Sequence, residues 1–139
     1  MNVDAVVARL RLIAAAMAGG VLLLAGLAVA LTVEPVPFIF RSSLPLGLIG
    51  LVWLVAGWRL FQHLTEKSAD QGGDGWLQRY EFATLLVFGI SEGVAMLGAV
   101  WFMLGAEPIA ATGVVTHLVL LGALWPTAEK AAAFSKHGG

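Results

Sequence analysis

One carboxylate and one imidazole stand where little else in this chain could do chemistry. Glu92 lies inside the apolar run "VFGISEGVAMLGAVWFML", residues 87–104, with Ser91 beside it. His117 lies inside a second apolar run, close to Thr112 and Thr116. A charge at the centre of a bilayer costs roughly 2.5–3.5 kcal/mol, so such groups are rarely left facing lipid. The run can bear that cost. Residues 82–104 hold eleven Leu, Ile, Val or Phe, each contributing about −0.3 to −0.6 kcal/mol. The acid is expected to be protonated and turned toward other helices, because burial disfavours the charged form. It could be a hydrogen-bonding contact between helices, a proton or cation site, or a ligand contact.

His117 is the internal partner expected for Glu92. The acid is 13 residues before Gly105, and the imidazole is 9 residues after Pro108. At 1.5 Å per residue their depths differ by about 6 Å, roughly one helical turn. Ser91 can bond back to a helix carbonyl. Gly89 and Gly93 form a GxxxG pair around the acid, and Ala95 and Ala99 continue the small residues nearby. Small residues let a second helix approach closely, so these four are the expected packing positions. No cofactor or metal is expected. Haem ligation by His117, with His63 at the inner end of the second span, is disfavoured because the two lie at different depths.

The elements that must position these groups are transmembrane helices. The chain has 139 residues, 59% of them hydrophobic and only 12% charged; soluble domains carry about 25% charge. Four apolar runs approach the length needed to cross ~30 Å of hydrocarbon. They lie at about 12–33, 44–63, 82–104 and 109–125, the last being the shortest. Glu34-Pro35 closes the first, and Pro45 sits in the first turn of the second. Between the second and third, the stretch 64–78 reads as a polar, solvated loop. The expected fold is therefore a single all-α domain over 1–139, with four transmembrane helices in two hairpins.

Seven of the eight basic residues fall in the N-terminal segment, the 64–78 loop with its flanks, and the C-terminal tail. Only Arg41 falls on the other side, so both termini are expected in the cytoplasm. Arg9, Arg11 and "AVA" at 28–30 also resemble a cleaved signal peptide. The apolar run is long for one, and Asp4 dilutes its basic start, so a retained helix is the preferred expectation. The halves show a weak tandem repeat. A shift of 73 sets Gly20-Val21 on Gly93-Val94 and Glu34-Pro35 on Glu107-Pro108, and leaves Gly19 opposite Glu92.

The segment "LQRYEFATLLVFGISEGVAMLGAVWFML", 77–104, resembles the carboxylate-bearing helix of the c subunit (proteolipid) of rotary ATP synthases. There a polar cytoplasmic loop leads into a helix with an acid at mid-membrane among small residues. The resemblance implies that Glu92 is a proton- or cation-binding carboxylate. It covers about a fifth of the chain. Glycines in 44–63 are sparse for that family, the loop lacks Arg-Gln-Pro, and the acid falls on the third helix.

The absence of cysteine excludes thiolate catalysis and Cys-ligated metals. A net charge of −1 without a basic stripe argues against nucleic acid. No nucleophile–base pair or phosphate loop suggests an enzyme. Two functions remain. One is a small non-catalytic multi-pass subunit of a larger bacterial inner-membrane assembly, respiratory or photosynthetic, with Glu92 as interhelical contact. The other is a c-like proton or cation carrier that assembles with copies of itself. Both place the chain in lipid, with other membrane subunits or itself as partner.

Overall fold

The computed structural model describes residues 2–31, 44–69, 75–104 and 108–136, and within them it is all-helical, with no strand. α1 spans Val3–Ala30, α2 Leu44–Ala69, α3 Trp76–Met103, α4 Thr112–Ala123 and α5 Ala128–Lys136. A 3-10 turn, Pro108–Ala111, leads into α4. α1, α2 and α3 are each long and apolar enough to cross a membrane. The 3-10 turn and α4 together rise about 26 Å, short of the ~30 Å of hydrocarbon.

Helix boundaries depart from the expected spans for a physical reason. The span limits mark where polarity changes, and a helix continues past that point when nothing breaks it. α1 starts at Val3, where the Asn2 side chain caps the Asp4 N–H at 2.9 Å. α2 runs beyond 63 to Ala69, and α3 begins at Trp76, so most of the expected 64–78 loop is helical. Residues 64–69 contain neither Gly nor Pro, whereas glycines occupy 72, 73 and 75. The Glu34-Pro35 stop, Arg41, Gly105 and Glu107 lie outside the described residues.

α3 is the central helix, packing against α1, α2 and α4. α1 lies parallel to it, joined by an Arg9–Glu81 ion pair and by Val6, Val7 and Leu10 against Leu77 and Tyr80. α4 runs antiparallel to α3 and parallel to α2. Arg11 Nε donates to the Pro126 carbonyl at 2.9 Å, and Phe61 meets Tyr80 edge-on at 6.4 Å. The start of α1, the end of α2, the start of α3 and the end of α4 therefore share one end of the bundle. The two hairpins are packed differently: α3 lies along α4, while α1 and α2 make no substantial contact among the described residues.

Glycine sets the closest approaches. A Cβ on Gly98 would collide with the Ala110 carbonyl oxygen. One on Gly113 would sit 2.6 Å from the Val94 carbonyl oxygen, and one on Gly50 would sit 3.1 Å from the Gly113 nitrogen. α3, α4 and α2 thus meet backbone to backbone, as small residues permit in lipid. The outer surface is apolar: Leu12, Leu23 and Val29 on α1, Val52 and Val55 on α2, and Phe82 and Leu97 on α3 are each more than 60% exposed. Such a surface suits hydrocarbon rather than water.

Candidate functional site: a buried imidazole and a half-buried carboxylate

The structure separates the two groups that the sequence pairs. Ser91 and His117 are both fully buried, and Ser91 Oγ lies 2.8 Å from His117 Nδ1. Ser91 Oγ also donates to the Phe88 carbonyl at 2.9 Å. A hydroxyl has one proton, so it accepts from the imidazole, which carries its proton on Nδ1. His117 Nε2 is then a buried acceptor with no partner among the described residues. Trp53 Nε1 is likewise buried and without a partner among them. The neighbouring Thr116 Oγ1 donates to the Gly50 carbonyl at 3.0 Å. α4 is thus held by adjacent polar side chains, Thr116 to α2 and His117 to α3.

Glu92 points elsewhere. One residue along a helix turns the side chain by about 100°, so Glu92 leaves the face that Ser91 presents to α4. Its carboxylate reaches toward α1, with Oε1 3.9 Å from where a Gly20 Cβ would stand. The expected Glu92–His117 pair is not made. Glu92 is half-buried, and among the described residues its carboxylate has no hydrogen-bond or ion-pair partner. Glycine at position 20 leaves it room.

The four small residues divide into two sets. Ala95 and Ala99 are buried with Val21 and Val114, on the side where Gly98 meets the turn before α4. Gly89 and Gly93 are exposed, with open space where a Cβ would project. Two residues along a helix rotate about 200°, so Gly93 and Ala95 lie on nearly opposite sides. The GxxxG pair therefore faces out of the bundle beside the carboxylate, and does not hold the chain's own helices together.

His63 is exposed on α2. By the α2–α4 register set at Gly50–Gly113 and Gly57–Leu120, it lies roughly 13 Å along the axis from His117. The two histidines do not converge on one haem. Among the described residues no group of three His, Asp or Glu could hold a metal ion.

Removing the Ser91 hydroxyl should leave both imidazole nitrogens buried without partners. Ser91→Ala is expected to destabilise the bundle by about 0.6–1.7 kcal/mol, the range for hydrogen bonds between membrane helices. An SDS unfolding titration in mixed micelles measures this. An unchanged midpoint would show that the bond holds nothing.

No family model matches the chain, and neither a curated protein nor a solved structure matches it.

Proposed function

We propose that this chain is a small, non-catalytic, four-span membrane subunit, docking through the Gly89–Glu92–Gly93 face of α3 onto another helix of a larger assembly. The observation that carries this reading is the pairing of an open GxxxG surface with a carboxylate that has no partner within the described chain. Glycines give a second helix close approach, and the carboxyl group at their edge offers it a hydrogen-bonding partner. Purification from native membranes in mild detergent should bring other chains down with it. A pure monomer would contradict the reading, and a ring of identical copies would favour the c-like carrier.

The α3 Glu92 face also supports that second reading in one respect. A carboxylate at the rim, rather than locked to an internal histidine, is open to exchange a proton or cation. Glu92→Gln distinguishes the two. It keeps the hydrogen-bonding shape and so should spare assembly, yet it abolishes any proton or cation flux that a carrier performs.

The assembly is proposed to reside in a bacterial cytoplasmic membrane, of respiratory or photosynthetic type, with both termini in the cytoplasm. The split of basic residues supports that orientation. So does the clustering of Arg9, Arg11, Arg79 and Lys130 near one end of the bundle, where Arg11 reaches Pro126. Cysteines placed at Ser42 and Gly72 should label from opposite sides of sealed vesicles. Labelling from one side would mean that α2, the helix between the two positions, does not cross.

A further inference from the structure

A groove of about 260 Å³ opens on the outer surface between α2 and α4. Its walls are Leu54, Val55, Trp58, Val119 and Ala123, and Arg59 lies at its edge. α2 runs toward the bundle end that carries Tyr80 and Pro126, so Arg59 marks the polar end of the groove, and Leu54 and Val119 the end nearer mid-membrane. Arg59 is exposed and makes no hydrogen bond or ion pair among the described residues. A second cation reaches the same level from α5. Lys130 Nζ donates to the Ala123 carbonyl at 2.8 Å and to the Trp125 carbonyl at 3.3 Å. An ammonium has three protons, so one donor remains. Glu129, next to it, makes no ion pair with either cation among the described residues.

The groove therefore has the polarity of one leaflet's lipid: apolar toward the membrane centre, cationic at the interface, with the amphipathic ring of Trp58 between. We infer that the α2–α4 groove binds an anionic phospholipid, its acyl chain against Val55 and Val119 and its phosphate between Arg59 and Lys130. Free phosphate would use the cations but not the apolar walls. A neutral lipid would use the walls but gain nothing from two unneutralised charges. The site lies on a different helix pair from Glu92, so it stands or falls separately from the docking face.

The test is native mass spectrometry of the full chain in mild detergent, titrated in turn with phosphatidylglycerol, phosphatidylcholine and glycerol 3-phosphate. Phosphatidylglycerol should be retained in preference to phosphatidylcholine. Arg59→Gln and Lys130→Gln should each lower its occupancy about fivefold, the effect of one basic residue beside an anionic membrane surface. Val55→Trp fills the groove while leaving both cations, and should remove the lipid without altering the helical content. Equal retention of the two lipids, a preference that survives Arg59→Gln, or displacement by glycerol 3-phosphate at equal concentration would each overturn the inference.

Discussion

Gly98→Ala is expected to lower the stability of the bundle by about 1–3 kcal/mol, the usual effect of overpacking a tight contact. The added methyl would collide with the Ala110 carbonyl oxygen, which belongs to the backbone of the turn before α4. A backbone oxygen cannot swing aside as a side chain can. Relief would require sliding the 3-10 turn, and with it the Thr116 bond to Gly50 and the His117 bond to Ser91. Gly113→Ala should behave similarly, because its methyl would meet the Val94 carbonyl. Gly89→Ala is the internal control. Nothing stands within 4 Å of the new methyl, and alanine is the better helix former by about 1 kcal/mol. SDS titration of the three variants, followed by tryptophan fluorescence, should rank Gly98→Ala and Gly113→Ala below wild type and Gly89→Ala at or above it. Equal midpoints would mean that α3 and α4 do not meet at Gly98 and Gly113.

Substitutions on the outward face should act on assembly instead of folding. Gly93→Leu points into open space within the chain, so the isolated bundle should keep its stability. In a complex, the same side chain would hold the partner's backbone away. Overpacking of about 1–3 kcal/mol corresponds to roughly 5- to 150-fold weaker association. Glu92→Leu should weaken it less, by about 0.6–1.7 kcal/mol, since it removes one hydrogen bond between helices and adds apolar area.

Much of the fold was legible because hydrocarbon imposes long apolar runs. α2 contains its expected span whole, α1 covers 12–30 of the expected 12–33 and α3 covers 82–103 of 82–104, and Pro45 sits in the first turn of α2. α5 was missed because "AEKAAAFSK" is short and on average polar, so it was read as a solvated tail although one side of it is apolar. A signal was present: Thr127 follows Pro126 and accepts from the Lys130 N–H at 3.1 Å, as a capping residue does.

The site was harder to read, because depth can be counted along a helix but azimuth cannot be fixed without its neighbours. Counting put His117 about one turn from Glu92, yet the residue it meets is Ser91, one position and about 100° away. The same limit applies to the glycines. The sequence pointed to Gly89 and Gly93, while the tight contacts fall at Gly98, Gly113 and Gly50. In a chain with 17 glycines, spacing alone does not tell which of them another backbone approaches.

The most direct test of the docking face is the native mass of the detergent-extracted particle, measured side by side for wild type and Gly93→Leu expressed in the source membrane. The wild-type mass should lie well above that of one chain, and the Gly93→Leu variant should fold, insert and run largely as free chain. A Gly93→Leu particle of the same mass and composition as wild type would show that the Gly89–Glu92–Gly93 face meets only lipid, and would contradict the proposed function.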